Sequence, residues 1–174
     1  MRKLAFINFE DNPVKKIMLC PCGESSVYLF AYETPFDAPC NYDEMYSCME
    51  EAQNYCLETF RIRQDDWFDI APVQEGCQKD FIAPVRIKGS VKGNAQWGSF
   101  EALCSGRWVK YTPSKSATLN TLSAQQRLLY TGLTSEFEEA KTSNPLKAAK
   151  ILKALQFDLE SIKNLLLAKT PIDN

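Results

Sequence analysis

The sequence contains no histidine, and this absence removes several kinds of chemistry at once. Histidine is the general base of Ser-His-Asp and Cys-His catalytic sites and the commonest protein ligand of transition metals. The two glycine-rich patterns that hold phosphate groups, GxGxxG and GxxxxGK[ST], are absent as well. We therefore name no catalytic residue, no metal ligand and no cofactor from the sequence.

Long apolar runs are also missing. Leu4 to Phe9 follow the basic pair Arg2 and Lys3, but Glu10 and Asp11 end this run before it reaches the length of a signal-peptide core. No stretch approaches the roughly 18 apolar residues that span a bilayer. Seven cysteines without an export signal are typical of reduced thiols in the cytosol. The sequence thus predicts a cytoplasmic protein without membrane contact.

Cys20 and Cys22 form a closely spaced cysteine pair, with one residue between them. Zinc sites usually contain two such pairs at wider spacing, so this pair does not predict a metal site. Thiol chemistry at Cys20 and Cys22 remains an alternative, in a small enzyme or another thiol-dependent protein.

What the chain does have is enough apolar material for a folded core. Its 174 residues are 45% hydrophobic and 24% charged, which are ordinary values for a globular protein. A helix is predicted from Ser47 to Phe60, because Ser47 and Glu50 have the spacing of a capping box. Glu50 and Glu51 also place negative charge in the first turn, where the helix dipole favours it. One apolar stripe recurs at helical spacing: Met49, Ala52, Cys56 and Phe60.

Two strands are predicted before this helix, at Lys16 to Cys20 and at Ser26 to Glu33. Both faces of the second strand are apolar or aromatic, which is typical of a central strand with a helix over one face. Thr34 to Asp43 contains two prolines and is predicted as a loop that leads into the helix. Asp65 to Ile70, after the helix, is predicted as a short extended or turn segment.

Further strands are predicted in the second half of the sheet region. Asp80 to Lys88 alternates in polarity, and Pro84 within it indicates an edge strand or a bulge. Phe100 to Cys104 and Arg107 to Tyr111 flank Ser105-Gly106, which predicts a two-residue hairpin.

The composition changes after Tyr111, and the rest of the chain is predicted to be mainly helical. Ser123 and Gln126 have the spacing of a second capping box. Asn144 is predicted to cap one long helix that has Pro145 at its first position and runs to near Ala168. Its apolar residues step by three and four: Leu146, Ala149, Leu152, Leu155, Leu159, Ile162 and Leu166.

Together these elements predict an α+β fold. An antiparallel sheet with one main helix packed on it occupies residues 1–112, a linker covers residues 113–122, and a helical C-terminal region covers residues 123–174. The pattern leaves open whether these C-terminal helices pack on the sheet or on a partner.

Charge is unevenly distributed along the chain, although the net charge is only −2. Residues 33–80 contain twelve acids and three bases, a net −9, whereas residues 81–112 contain five bases and one acid, a net +4. Such asymmetry concerns partners rather than fold, and it favours a basic protein over nucleic acid. The acidic aromatic segment at residues 65–69 suggests an anchor, Trp67, within a charged rim. The alternative is that Trp67 lies in the protein's own core. The predicted partner-binding residues are Glu50, Glu51, Asp65, Asp66, Trp67 and Asp69.

Four stretches of the sequence carry a resemblance: Val27-Tyr28-Leu29-Phe30, Ser47 to Cys56, Asp65-Asp66-Trp67, and Ile82 to Gly89 through Gln96-Trp97-Gly98. Together they resemble small bacterial α/β proteins, some of which are similar to immunity proteins that inhibit a toxin by binding it. The resemblance covers about residues 16 to 111 and implies no catalytic residues.

The leading functional hypothesis is therefore protein binding, in its sharpest form an immunity or inhibitor protein that occludes its target through an acidic surface. The alternatives are a thiol-dependent protein that uses Cys20 and Cys22, and a structural subunit. The subunit hypothesis predicts a homodimer through an exposed leucine face on residues 146–166.

Overall fold

A computed structural model describes residues 1–9, 11–23, 25–113 and 118–168 of the chain. Its largest element is a five-stranded antiparallel sheet in the order β4-β3-β2-β1-β5. These strands are β1 (Arg2–Phe6), β2 (Lys16–Pro21), β3 (Val27–Tyr32), β4 (Tyr42–Tyr46) and β5 (Phe68–Ile70). The predicted α+β fold with an antiparallel sheet is confirmed.

Strands β2 and β3 form the centre of this sheet, and their side chains are buried on both faces. On one face Ile17 and Leu19 join a core beneath a helix. On the opposite face Met18 and Phe30 join a second core. Because successive side chains of a strand point to opposite faces, a strand that is apolar throughout needs a cover on each side.

Helix α1 (Met49–Phe60) covers the first face, and it begins after Cys48 rather than at Ser47. Ser47 is therefore not the N-cap, and the predicted capping box with Glu50 is wrong. The Ser47 backbone N–H and hydroxyl instead donate to the Glu51 carboxylate, at 2.9 and 2.5 Å. The physical reason is that the chain stays extended after β4 almost to Cys48. The helix therefore begins one residue later, and Ser47 bonds Glu51 instead of Glu50.

Strand β4 lies where the sequence predicted the end of a loop. It pairs with β3 from Tyr42, opposite Ala31, to Tyr46, opposite Val27. The prolines that favoured a loop, Pro35 and Pro39, both precede this strand and do not interrupt it. Segment 65–70, at the opposite edge of the sheet, divides into the end of a short 3-10 turn (Gln64–Asp66) and strand β5.

A smaller three-stranded sheet contains β6 (Val85–Ile87), β7 (Phe100–Cys104) and β8 (Arg107–Tyr111). The predicted hairpin between β7 and β8 is confirmed. Ser105 and Gly106 both have positive φ, 48° and 77°, as the tight two-residue turn between twisted strands requires. Strand β6 is at an edge of this sheet, as Pro84 indicated. It is shorter than the predicted Asp80–Lys88, because it begins only after Pro84.

The described part of the C-terminal region contains α2 (Ala124–Tyr130), α3 (Thr134–Ser143), α4 (Pro145–Ala154) and α5 (Leu159–Leu167). The caps at Ser123 and Asn144 are confirmed. The prediction of a single long helix is wrong, because the helix is interrupted between α4 and α5. Gln156 adopts a left-handed conformation with φ 63°, and Asp158 caps a new helix by accepting from the N–H of Ser161 at 2.8 Å.

These helices cover the second face of the main sheet. Leu128, Phe137 and Ile151 are fully or almost fully buried in the same core as Met18 and Phe30. The sheet and the helical region therefore share one core, which is how the central strands obtain their second cover.

A group of buried polar side chains ties the main sheet to the loops and the small sheet. Arg2 donates to the carbonyls of Phe81 and Ile82, at 2.5 and 3.0 Å. The Asp37 carboxylate accepts from the backbone N–H groups of Ile82 and Ala83, at 2.8 and 2.9 Å. Lys16, which is fully buried, donates to the carbonyl of Phe36. We call Arg2, Lys16 and Asp37 the buried polar joint.

Burial perturbs two members of this joint in opposite directions. It raises the pKa of Asp37 from 3.8 to about 6, and the Lys16 ammonium and the two N–H donors oppose that rise only in part. It lowers the pKa of Lys16 from 10.5 to about 8, despite the attraction of Asp37.

These shifts predict how the free energy of unfolding depends on pH. Between pH 3.8 and about 6 the folded chain keeps a proton on Asp37 that the unfolded chain loses, so stability falls as pH rises. Between about pH 8 and 10.5 the unfolded chain keeps a proton on Lys16 that the folded chain loses, so stability rises with pH.

Denaturation of the wild type and of Asp37→Asn at several pH values tests the prediction for the acidic range. From about pH 4 to pH 7 the wild type should lose roughly 2–3 kcal/mol relative to the variant. A difference that does not change with pH would contradict the burial of this carboxyl group.

Candidate functional site

An acidic surface rich in tyrosine covers the outer edge of the main sheet on the side of α1. Its members come from the end of β3, from β4 and from the exposed side of α1. We call it the acidic–tyrosine face, and its residues are Glu33, Tyr42, Glu44, Tyr46, Glu51, Tyr55 and Glu58.

Hydrogen bonds and ring contacts hold this face together. The Tyr42 hydroxyl donates to Glu33 at 3.0 Å, and the Tyr46 hydroxyl donates to Glu44 at 2.8 Å. The rings of Tyr46 and Tyr55 lie 5.4 Å apart between centroids. The Glu33 carboxylate raises the pKa of Tyr42, whereas burial, followed by the bond to Glu44, raises the pKa of Tyr46. Tyr42 and Tyr46 therefore act as donors to the carboxylates.

The charge of this surface is not balanced within the described chain. Residues 33–60 contain no lysine or arginine. Within the described part of the chain, ion pairs involve four other carboxylates, and none involves an acid of this surface. The exposed acids of this face are Glu33, Glu44, Glu51 and Glu58.

The structure separates the five predicted partner-binding acids into two groups. Glu51 belongs to the acidic–tyrosine face, and Glu50 lines the same shallow hollow of about 480 Å³ as Tyr46 and Tyr55. Asp65, Asp66 and Asp69 lie instead at the β5 edge. Because β4 and β5 are the two outer strands of a five-stranded sheet, about 19 Å separates them.

The β5 group is also compensated locally. Asp69 forms an ion pair with Lys3 at 2.9 Å, and Asp66 accepts from the backbone N–H of Arg63 at 2.8 Å. The structure does not bring these aspartates together with Glu50 and Glu51 into one surface.

Trp67 does not have the exposure that an anchor needs. Its side chain is only 4% exposed and packs in the core beneath α1, with Ala5 and Ile62 among its neighbours in that core. The alternation of the chain explains this position, because Phe68 joins the opposite core and the residue before it therefore faces α1. Trp97 is the tryptophan that is exposed, at 81%.

The tyrosines at positions 42, 46 and 55 were missed by the sequence analysis, as were Glu33 and Glu44. A signal for them was present. The stretch Tyr-Asp-Glu-Met-Tyr at residues 42–46 contains neither proline nor glycine, and aromatic residues favour strands. Its polar residues on both faces are typical of an edge strand.

The structure places the two thiols of this pair in different environments. Cys20 is buried in the core that faces the C-terminal helices, and burial raises its pKa, which disfavours the nucleophilic thiolate. Cys22 lies at the hairpin, where its sulfur is 3.2 Å from the Lys79 amine. Among the described residues, no group of three Cys, Asp or Glu side chains could hold a metal ion.

A separate groove of about 520 Å³ lies between the β7–β8 hairpin and helices α2 and α3. At one end of it, Glu136 accepts from the backbone N–H of Ala71 and from Lys147, the latter at 2.7 Å. Glu136 is thus held within the chain, and the groove offers mainly apolar surface. Its apolar lining includes Ile82, Pro84, Leu103, Leu128 and Leu129.

The leucine face predicted for dimerisation is largely used inside the chain. Leu152 and Leu155 are fully buried and Ile162 is 8% exposed, because these residues pack toward the sheet. Leu146 and Leu159 remain exposed, at 80% and 84%.

No helix in the described part of the chain combines the length and the apolar character needed to cross a membrane. No protein-family model, curated protein or solved structure matches the chain. Function is therefore inferred from the chemistry of the site itself.

The burial of Trp67 gives a direct prediction. Trp67→Ala should lower the free energy of unfolding by about 3–5 kcal/mol, because it removes a large side chain from a packed core. Trp97→Ala is the matched control and should change it by less than about 0.5 kcal/mol. Chemical denaturation followed by circular dichroism measures both. Equal midpoints for the two variants would mean that Trp67 is not a core residue.

Proposed function

We propose that this chain is a protein-binding module and that its acidic–tyrosine face binds a basic protein. The observation that carries the proposal is the set of exposed acids without a paired base in the described chain. Like charges held together repel one another and cost stability. A basic partner would replace that repulsion with attraction, so the arrangement makes sense as half of an interface.

The tyrosines supply what charge alone does not. Tyrosine combines a large apolar ring with a hydroxyl that can remain hydrogen-bonded, and it is enriched in protein interfaces. Tyr42 is 60% exposed and Tyr55 is 36% exposed, so both have surface to bury against a partner. These residues replace Trp67 as the candidate anchors.

The sharpest form of the proposal is an inhibitor of the immunity-protein kind. Such a protein would be steered to a basic toxin or enzyme by its charge and would occlude the target's working surface. This form is supported by the position of the face, most of which lies on a strand and a helix rather than on a loop. Its charge would steer association with a basic target.

The test begins with capture of the partner from the native cell by a carbodiimide, which joins a carboxylate to a lysine amine only where they touch. Mass spectrometry should place the linked carboxylates between Glu33 and Glu58. The association rate of the captured partner is then measured with Glu44→Gln/Glu51→Gln/Glu58→Gln. We expect association about tenfold slower or more at low ionic strength. The difference should shrink in 1 M salt, where the Debye length is only about 3 Å.

The matched control is Asp65→Asn/Asp66→Asn/Asp69→Asn, which removes the same number of charges at the β5 edge. It should change the association rate by less than about twofold, since these charges lie roughly a Debye length or more from the proposed interface. Links at the β5 aspartates, an equal effect of the two triple variants, or capture no better than with the glutamine variant would each refute the proposal.

A further inference from the structure

We infer that the partner of the acidic–tyrosine face adds an extended, basic strand to the outer edge of β4. This inference rests on the proposed function and names the kind of segment that the face takes. It is drawn from the direction of the backbone groups of β4, from the state of the other outer edge of the main sheet, and from the order of charges along the strand.

The outward direction of the backbone groups is set by the pairing of β3. The N–H of Cys22 donates to the carbonyl of Ser26, which fixes this pair as hydrogen-bonded between β2 and β3. In an antiparallel sheet such pairs alternate, so the next residue of β3, Val27, directs its N–H and C=O toward β4. The backbone N–H and C=O of its partner Tyr46 therefore point at β3. Asp43 and Met45 alternate with Tyr42, Glu44 and Tyr46 along β4, so their N–H and C=O groups point away from the sheet.

The other outer edge of the main sheet offers less backbone, because β5 has only three residues and is engaged at its end. Ala71 follows directly on β5, and its N–H donates to the Glu136 carboxylate while its carbonyl accepts from Arg2 at 2.6 Å. Along β4, by contrast, neither Asp43 nor Met45 has a backbone hydrogen bond to a described residue outside the sheet. An exposed strand with unpaired groups is a template for an added strand.

The charges of β4 select the sequence of the added strand. Asp43 and Glu44 are adjacent, so they lie on opposite faces, and both are flanked by the exposed Tyr42 and Met45. A complementary strand has two adjacent basic residues with apolar residues on both sides, because directly opposed side chains interact most strongly. A second β4 would instead place acid opposite acid. Pairing of β4 with β4 from another copy is therefore disfavoured.

The probe is a capped synthetic heptapeptide, Thr-Tyr-Val-Lys-Arg-Ile-Thr, which matches β4 in antiparallel register. Two derivatives separate backbone pairing from charge. N-methylation of its valine and arginine blocks the N–H groups that would face β4, and N-methylation of its lysine and isoleucine blocks those that would face away. Titration of isotope-labelled protein by NMR should shift the amide signals of Asp43 and Met45 with the parent peptide and the second derivative. The first derivative should bind at least tenfold more weakly.

The protein offers a matched pair of variants at the same point. Met45→Pro removes the outward N–H, which an edge strand tolerates, whereas Met45→Ala removes only the side chain. Peptide binding should weaken at least tenfold in Met45→Pro and less than threefold in Met45→Ala, with circular dichroism confirming that both are folded. If Met45→Pro does not fold, the N-methylated peptides give the same comparison on the unaltered chain.

The outcomes separate this inference from the proposed function. If both N-methylated peptides bind equally well and the glutamine triple variant abolishes binding, the acidic face is supported and strand addition is overturned. If the parent peptide does not shift Asp43 and Met45, strand addition is likewise overturned, while carbodiimide capture still decides the proposed function. Sedimentation of the protein alone is the remaining check. Concentration-dependent self-association that is lost in Met45→Pro would show that a second copy occupies the edge, and would overturn the inference of an external partner.

Discussion

The central strands β2 and β3 are apolar on both faces, and most of the architecture results from covering them. Helix α1 covers one face and the four C-terminal helices cover the other. Each cover depends on the sheet as much as the sheet depends on it, since an amphipathic helix of this length gains most of its stability from packing. With both faces closed, the edges of the main sheet are where its backbone can meet a partner.

The two edges of the main sheet differ in how far they are engaged. The β5 edge is short, and at its end Ala71 is held by Arg2 and Glu136. The β4 edge is open and carries acids and tyrosines. A charged edge strand is also the usual protection against unwanted pairing between identical chains. The same acids that would repel another β4 would attract a basic strand, so protection and recognition have one physical cause.

Local patterns predicted the elements whose cause is local. The alternation of β3, the Ser105-Gly106 turn and the caps at Ser123 and Asn144 depend on neighbours within a few residues, and the structure has them. The break at Gln156 was missed because the apolar steps continue across it, although Asp158 and Ser161 carried a capping signal. The start of α1 is one residue later than predicted, because the chain stays extended up to Cys48 and Ser47 bonds Glu51 instead of Glu50.

The candidate site was harder to predict because it is assembled from distant parts. Runs of acids in sequence suggested one surface, but the chain crosses the whole sheet between Glu51 and Asp65, which puts the two groups at opposite edges. The burial of Trp67 depends on which face of the sheet packs beneath α1. The buried polar joint joins residues far apart in the chain, such as Arg2 and Ile82, and no local spacing indicates it.

Amide hydrogen exchange of the free chain, followed by NMR, tests the central claim most directly. The claim is that the main sheet is closed on both faces and open along β4. The amides of β2, bonded on both sides, should exchange most slowly, and those of Tyr42, Glu44 and Tyr46 should be protected by β3. Asp43 and Met45, between them, should exchange nearly as fast as an unstructured chain. Protection of Asp43 and Met45 equal to that of their neighbours in the free chain would show that this edge is already covered, and would contradict the claim.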